Sequence, residues 1–205
     1  MYGKKNINRL LQYRNVLNRL HDLGFETVFS YHLGKEAGVS PEQVRKDFSE
    51  FGIKGNRKAG YDINELLFTI NRIFKKHKLQ KVILVGLGKI GMALIQYRDF
   101  RKKMIKIVAA FDVNPAKYKK KIGLSVYPMD QMKLVISSME VKIAIIAVPD
   151  RSAQEVCNQL VECGIKGILN FSPTPLKVPS DVFIEHISIC NSLEILFYQA
   201  DESGT

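Results

Sequence analysis

The stretch Val82-Ile83-Leu84-Val85-Gly86-Leu87-Gly88-Lys89-Ile90-Gly91 decides how the second part of this 205-residue chain folds. An apolar strand leads into the pattern G-x-G-x-x-G, a helix follows, and the next apolar run ends in Asp112, about 20 residues further on. This order of strand, glycine loop, helix, strand and acid is typical of a dinucleotide-binding domain.

Each glycine of this loop has a predicted role. Gly86 allows the tight turn, Gly88 lets a pyrophosphate approach the backbone, and Gly91 lets the helix pack closely on the strand. The helix begins near Lys89 and Ile90, and its N-terminus presents free N–H groups and a partial positive charge to the phosphates.

Asp112 is expected to bond a ribose 2′-hydroxyl, which favours NAD(H) and repels a 2′-phosphate. Four lysines follow it, and we interpret them as a solvated face. Cations near that hydroxyl can also pair with a 2′-phosphate, so NADP(H) stays open as the cofactor. They are Lys117, Lys119, Lys120 and Lys121.

The charge of the chain is unevenly distributed. The net charge is +11, and residues 1–78 hold 15 Lys and Arg against 8 Asp and Glu, while residues 79–205 hold 16 against 12. A small basic domain joined to a nucleotide-binding domain suggests a polyanionic partner, although solubility alone is the alternative explanation.

Other bulk features limit the class of protein. No window approaches the ~18 apolar residues of a membrane span, and no apolar segment of a secretory signal follows the N-terminus. The three cysteines lack metal-ligand spacing and are expected to be reduced thiols. We therefore expect a cytoplasmic protein without a metal site and without a membrane partner.

The first 78 residues predict a helix-turn-helix. Leu10, Tyr13 and Leu17 give residues 7–23 one apolar helical face, and the arginines of that segment lie off it. Ser30 is expected to cap a short helix that Gly38 ends. A second helix, 41–51, follows at once, and two short helices joined by a glycine turn are a helix-turn-helix candidate.

The second of these helices is the predicted recognition helix. Ser40 suits its N-cap, and Gln43 would complete a capping box with it. The apolar stripe of Val44, Phe48 and Phe51 turns Lys46 outward, beside Arg45 and Gln43. Arg and Lys can donate to guanine edges or phosphates, and Gln can pair with adenine.

A basic turn between short strands follows, over residues 54–61, and fits a wing that lays Arg57 and Lys58 along DNA. A solvated hairpin is the alternative. The helix 63–76 would close the domain. The residues predicted to bind DNA are Arg9, Ser40, Gln43, Arg45, Lys46, Arg57 and Lys58.

Strand and helix patterns alternate through the rest of the chain, which predicts a parallel sheet covered on both faces. The predicted elements are strands 105–111, 124–127, 143–148, 167–170 and 182–187 and helices 129–139, 152–163 and 191–200. Ligands on such sheets bind beyond the C-terminal strand ends, which places Val148, Pro149, Asn170 and Phe171 beside the glycine loop. None of the four histidines lies at a predicted strand-end site, so we expect binding without catalysis.

An ordered set of motifs along almost the whole chain resembles the Rex family of redox-sensing transcriptional repressors. The motifs are Arg9-Leu10 with Tyr13, Val44-Arg45-Lys46-Asp47, Phe51-Gly52, Gly60-Tyr61, the glycine loop with Ala93-Leu94, Phe111-Asp112, Ala147-Val148-Pro149 with Ala153-Gln154, and Gly164 through Phe171. The resemblance implies a DNA-binding winged helix over 1–78, a Rossmann domain for NADH/NAD⁺ over 79–188, and a dimerisation helix with its tail over 189–205.

The resemblance also implies a mechanism. Two copies form a homodimer in which each C-terminal helix swaps between the partner's two domains. The dimer binds a palindromic operator in double-stranded DNA at low NADH, and NADH releases it. Tyr97 matches a family tyrosine near the nicotinamide, whereas Ser188 stands where the family usually has an aspartate.

Two alternatives stay open from the sequence. A small NAD(P)-dependent dehydrogenase would need an acid–base group that the motifs do not provide. A regulator that responds to CoA or another nucleotide would use the same Rossmann scaffold, and Ser188 leaves room for it.

Overall fold

The chain folds into two units, Met1–Lys78 and Leu79–Thr205, each with its own apolar core. The computed structural model describes residues 3–56, 59–74, 78–118 and 122–202. It has mixed α/β content and a parallel sheet in the second unit, as the sequence predicts.

The first unit begins with helix α1 (Lys4–Asp22), which buries Leu10, Tyr13 and Leu17 completely. The predicted apolar face is therefore confirmed. The prediction that every arginine lies off this face is wrong for Arg14, which is only 6 % exposed. Its guanidinium lies 5.0 Å from the centre of the Phe74 ring, so an aromatic face takes the place of solvent.

Helices α2 (Ser30–Ala37) and α3 (Pro41–Glu50) form the predicted helix-turn-helix. Gly38 ends α2 with a positive φ of 69°, a conformation that favours glycine. Ser40 caps α3, since its Oγ accepts a 3.2 Å hydrogen bond from the Gln43 N–H.

Two predictions about the caps are wrong. Ser30 is the first residue of α2 and not its cap, and its Oγ instead accepts a hydrogen bond from Arg45 Nη1 at 3.0 Å. Gln43 does not complete a capping box, because its amide Nε2 donates to Asp47 at 2.7 Å. In the first case a residue of the next helix engages the side chain, and in the second case an acid one turn further along the same helix does so.

A two-stranded antiparallel sheet lies beside these helices. Strand β1 (Thr27–Val28) pairs with β2 (Tyr61–Asp62), and Asn56 bridges Gly60 at the base of the predicted wing. Arg57 and Lys58 lie outside the described residues. Helix α4 (Ile63–Ile73) closes the unit and is capped by Asp62, which accepts from the Glu65 N–H at 2.9 Å.

The second unit contains six parallel strands in the order β5-β4-β3-β6-β7-β8. The strands are β3 (Gln80–Val85), β4 (Ile105–Phe111), β5 (Val126–Tyr127), β6 (Ile143–Ile146), β7 (Gly167–Asn170) and β8 (Phe183–His186). This is the strand order of the Rossmann fold, with β3 as its first strand. The carboxyl ends of β3 and β6, on either side of the topological switch point, therefore mark the expected ligand crevice.

Helices cover both faces of this sheet. The helices are α5 (Lys89–Ile95), α6 (Arg98–Lys102), α7 (Met132–Met139) and α8 (Asp150–Glu162). Ile83 and Val85 of β3 pack in one core with residues of α7 and α8, while Val82 and Leu84 pack in the other with residues of α5 and α6. Alternate side chains of one strand are thus buried on opposite faces, which explains its continuous apolar run.

Helix α9 (Ile189–Glu202) ends the described chain and is longer than predicted. Ser188 caps it, since its Oγ accepts from the Asn191 N–H at 3.2 Å. The predicted stripe of Leu193, Leu196, Phe197 and Ala200 is present, and all four residues are exposed in the single chain.

Candidate functional site

The glycine loop between β3 and α5 has the geometry that the sequence predicts. Gly86 has a φ of 97°, and a Cβ there would lie 2.5 Å from the Ala147 oxygen. A Cβ on Gly91 would lie 2.0 Å from the Gly86 oxygen, so only glycine fits at either position. The tight turn predicted at Gly86 and the close packing predicted at Gly91 are therefore confirmed.

Gly88 differs from both. No atom lies within 4 Å of the place where its Cβ would be, and its backbone is exposed. Helix α5 starts at Lys89, and the first N–H groups of a helix have no intrahelical acceptor. Open space beside free N–H groups fits a pyrophosphate, which is the role predicted for Gly88.

Asp112 follows β4 and is only 6 % exposed. Its carboxylate accepts hydrogen bonds from the Leu87 N–H at 2.7 Å, the Asn114 N–H at 2.9 Å and Lys117 Nζ at 2.9 Å. Burial by itself raises the pKa of Asp112, but these donors outweigh burial and hold that pKa below its ordinary value. Asp112 is therefore an anion at neutral pH and anchors the glycine loop.

Lys117 corrects one prediction. It does not belong to a solvated face, because its ammonium forms an ion pair with Asp112 and its side chain is only 24 % exposed. Lys119, Lys120 and Lys121 lie outside the described residues.

The predicted strand-end residues fall into two groups. Val148 lies beside the loop, with its Cγ1 2.9 Å from the place of a Cβ on Gly86, and Pro149 is the exposed N-cap of α8. Phe171 is half-buried, and its N–H donates to the Ile146 oxygen at 2.9 Å. These three residues line the carboxyl edge of the sheet.

Asn170 has a structural role instead. Its side chain is completely buried, accepts from the Ser172 N–H at 3.0 Å and donates to the Thr174 oxygen at 3.0 Å. Its amide nitrogen Nδ2 also lies 3.0 Å from His186 Nδ1, and His186 Nδ1 is the acceptor when that nitrogen donates. Asn170 thus shapes the loop after β7, and its predicted contact with the nucleotide stays a prediction.

His186 is a residue that the sequence analysis missed at this edge. The sequence predicts no histidine at a strand end, because the predicted strand 182–187 extends one residue beyond His186. In the structure β8 ends at His186, which is exposed. The pairing of Asn170 with His186 across β7 and β8 is a tertiary contact that no local pattern marks.

Tyr97 lies away from the glycine loop of its own chain. It follows the C-terminal end of α5, stacks edge-on against Phe100 at 5.1 Å, and lines a cavity of about 470 Å³ with Ile105 at the start of β4. Because α5 runs back along the sheet, Tyr97 is at the edge opposite the strand ends. A contact between Tyr97 and a nucleotide in the same chain is therefore not supported.

The predicted DNA-binding residues of α3 have different surroundings. Lys46 is exposed. Arg45 is exposed but held at both ends of its guanidinium, by Glu42 at 2.8 Å and by Ser30 at 3.0 Å. Ser40 is engaged as the helix cap and Gln43 by Asp47. Of these four residues, Lys46 is the one that makes no side-chain hydrogen bond or ion pair with a described residue.

Arg9 is not a free surface cation. Its Nε and Nη2 each donate to the buried Asp47 carboxylate at 2.6 Å, and its side chain is 22 % exposed. This ion pair joins α1 to α3. Arg9 thus has a structural role in the unit, and its contact with DNA stays a prediction.

Two further observations concern the described part of the chain. No helix there is long and apolar enough to cross a membrane. The same residues contain no cluster of three or more His, Cys, Asp or Glu side chains that could hold a metal ion.

Comparison with known protein families supports both units. A family described as "Putative DNA-binding protein N-terminus" matches residues 4–49, and one described as "CoA binding domain" matches residues 77–174. These matches fall on the helix-turn-helix and on the Rossmann-type sheet.

Curated relatives extend over almost the whole chain. The redox-sensing transcriptional repressor Rex of Brevibacillus brevis is 39 % identical over 193 residues, which cover 94 % of this chain and 93 % of the relative. The Rex repressor of Chloroflexus aurantiacus is 41 % identical over 94 % of this chain and 91 % of its own length.

Solved structures agree with these relatives. The structure of RSP in complex with β-NAD⁺ and operator DNA has a TM-score of 0.93 at 31 % identity, and covers all of this chain and 94 % of that chain. RSP in complex with β-NADH has a TM-score of 0.88 at 30 % identity, and covers all of this chain and 96 % of that one. RSP itself is described as a Rex-family repressor.

A helix-turn-helix unit joined to a dinucleotide-binding unit defines the class of protein, a DNA-binding transcription regulator and not an enzyme. The sequence identity with the curated relatives makes the assignment more specific. The chain belongs to the Rex family of redox-sensing transcriptional repressors.

Proposed function

We propose that this protein represses transcription by binding a palindromic operator when NADH is low, and that NADH releases it from the DNA. The observation that carries this proposal is the open space at Gly88, in a glycine loop on the same chain as a helix-turn-helix. Membership of the Rex family supports it, because RSP is described in complex with NAD⁺ and operator DNA and with NADH.

The nucleotide would lie along the carboxyl edge of the sheet. The N–H groups at Lys89, Ile90 and Gly91 would receive the pyrophosphate above Gly88. Asp112 is ionised and close to the loop, so it can accept from a ribose hydroxyl in addition to its present donors. Val148, Pro149 and Phe171 would line the rest of the groove.

Operator recognition would use the exposed face of α3. Lys46 has no ion-pair partner among the described residues and would donate to a base edge or a phosphate. Arg45 would exchange its hold on Glu42 for a phosphate oxygen. Arg57 and Lys58 would add phosphate contacts from the wing.

A palindromic operator requires two copies of the recognition helix. We propose a homodimer in which α9 of each copy, within the segment 189–205, lies between domains 1–78 and 79–188 of the partner. Exposed leucine and phenylalanine side chains on α9 support this, because an apolar stripe of this kind is normally covered by a partner. Such a regulator would act in the cytoplasm, on double-stranded DNA.

The two ligands must be linked thermodynamically. In the proposed dimer, recognition helices about 34–36 Å apart fit two successive major grooves. NADH would favour a different spacing, and operator DNA must then weaken NADH binding by the same factor by which NADH weakens DNA binding.

A second candidate is a regulator that responds to CoA, because a CoA-binding family matches residues 77–174. Thermal unfolding in the presence of NADH, NAD⁺ or CoA separates the two, since a ligand that binds only the folded state raises its stability. We expect NADH to raise the unfolding temperature of the second unit and CoA to leave it unchanged. If CoA raises the unfolding temperature and NADH leaves it unchanged, CoA and not NADH is the ligand of the second unit.

A further inference from the structure

The carboxylate of Asp47 is completely buried inside the first unit, yet it belongs to the recognition helix. Oδ2 accepts from Arg9 Nε at 2.6 Å and from the Tyr13 hydroxyl at 2.7 Å. Oδ1 accepts from Arg9 Nη2 at 2.6 Å and from Gln43 Nε2 at 2.7 Å. Four donors thus fill the approximately four acceptor sites of the carboxylate.

Three of these donors come from α1, two of them from Arg9 and one from Tyr13. Arg9 spans both oxygens in a bidentate pair, which sets the plane of the carboxylate as well as its place. The fourth donor, Gln43, lies one turn before Asp47 on α3 and is partly exposed. Gln43 is therefore the only one of Asp47's three partner residues that lies on the predicted recognition helix.

The chemistry of this contact orients Gln43. A carboxylate accepts hydrogen bonds and cannot donate them, so the amide nitrogen of Gln43, and not its oxygen, must face Asp47. The amide cannot flip without placing its oxygen against an anion. Its Oε1 and second N–H are left for another partner, and these are the two groups with which Gln contacts N6 and N7 of adenine.

We propose that Asp47 is a positioning residue for operator recognition. It holds the amide of Gln43 in the orientation in which Gln43 contacts an A·T pair in each half-site of the operator. This inference rests on the proposed function. It assigns base reading to Gln43, orientation of Gln43 to Asp47, and the fixing of Asp47 to its bidentate pair with Arg9.

The test uses the palindromic duplex that the wild-type protein selects from a randomised DNA pool. Binding is measured for duplexes with each base pair of the half-site replaced in turn, for the wild type, Gln43→Ala, Asp47→Asn and the double variant. We expect Gln43→Ala and Asp47→Asn each to reduce the preference in affinity for the same A·T pair about tenfold. We expect the double variant to lose no more than either single variant.

Tyr13→Phe is the matched control, since it removes one donor from Asp47 without touching Gln43. It should keep the preference at that base pair. A purely structural role for Asp47 predicts instead that Asp47→Asn weakens binding equally at every position and adds to the effect of Gln43→Ala. That pattern would overturn the proposal while leaving operator binding by the wild type intact. Failure of the wild type to select any duplex would overturn the proposed function as well.

A second measurement needs no variant that might fail to fold. In the NMR spectrum of the wild type, one side-chain amide proton of Gln43 should lie downfield of its position in a solvent-exposed glutamine, because that proton is hydrogen-bonded to a buried carboxylate. Two side-chain amide protons at the positions of a solvent-exposed glutamine would overturn the proposal.

Discussion

The backbone N–H of Leu87 donates a 2.7 Å hydrogen bond to Asp112 Oδ2, and so ties the glycine loop to the end of the neighbouring strand. The acid expected to bind a ribose is therefore also the anchor of the loop that would bind the pyrophosphate. Lys117 completes this arrangement by pairing with the same oxygen. The position of the loop backbone and the negative charge at the end of β4 thus depend on one side chain.

Two glycines of the loop should respond differently to substitution. Gly88→Leu meets open space, so we expect the fold and DNA binding without nucleotide to persist while the response to NADH is lost. Gly91→Ala, the contrasting control, would place a Cβ 2.0 Å from the Gly86 oxygen and should cost about 1–3 kcal/mol of stability. Thermal unfolding and NADH titration of both variants check this. Retention of the NADH response by Gly88→Leu would contradict the proposed pyrophosphate position.

Acid should weaken the junction between α1 and the recognition helix. Burial by itself raises the pKa of Asp47, but the hydrogen bonds from Arg9, Tyr13 and Gln43 outweigh burial and hold the pKa below its ordinary value. A carboxyl whose pKa is lower in the folded state stabilises the fold above its unfolded pKa of about 3.9, and this contribution is lost as the pH falls through the lower folded pKa.

Asp47→Asn should therefore be less stable than the wild type at pH 7, by about 1–3 kcal/mol, and the difference should shrink below about pH 4. Thermal unfolding followed by circular dichroism from pH 7 to pH 3 measures it. A stability difference that stays constant over that range would show that Asp47 is not ionised in the folded state.

Lys46 should contribute more to operator binding than an equally exposed lysine elsewhere. If it contacts a base, Lys46→Ala should cost about 1–3 kcal/mol of binding free energy and relax the preference at one base pair. Lys142→Ala removes the same charge from an exposed site of the second unit and serves as the control. Both are compared by fluorescence anisotropy at one fixed salt concentration, because phosphate contacts are sensitive to salt. Equal losses in the two variants would remove Lys46 from the interface.

The apolar stripe of α9 should be necessary for dimerisation. Leu196 is 58 % exposed in the single chain, and an aspartate there would place a charge within the proposed interface. We expect Leu196→Asp to sediment as a monomer at micromolar concentration. Gln199→Asp adds the same charge at an exposed polar position of α9 and should remain dimeric. A dimeric Leu196→Asp variant would contradict the proposed exchange of α9.

Much of the fold could be predicted where one local signal determines the structure. Strands 105–111 and 167–170 were predicted with the bounds that the structure gives, because each is a short apolar run between clear breaks. Ser40 was identified as a cap because Ser before Pro at a helix start is a local pattern. The tight turn at Gly86 and the close packing of Gly91 likewise follow from the spacing of the motif.

Several of the errors have a common physical origin in contacts between distant parts of the chain. Arg9 and Asp47 are 38 residues apart, and neither residue marks the other in the sequence. The sequence predicts Arg14 on the polar face of α1, because the half-buried ring of Phe74 that accommodates it belongs to another part of the unit. Ser30 has the residue type of a cap, but Arg45 supplies the donor that engages it.

The most direct test of the account is binding of the selected palindromic duplex by fluorescence anisotropy at fixed salt, with NADH and NAD⁺ added in separate titrations. We predict that NADH releases the duplex at micromolar concentration and that NAD⁺ at the same concentration does not. Ser188 in place of the usual aspartate would then be compatible with redox sensing. A protein that holds the duplex regardless of either nucleotide would contradict redox control, and Ser188→Asp would be the first variant to examine.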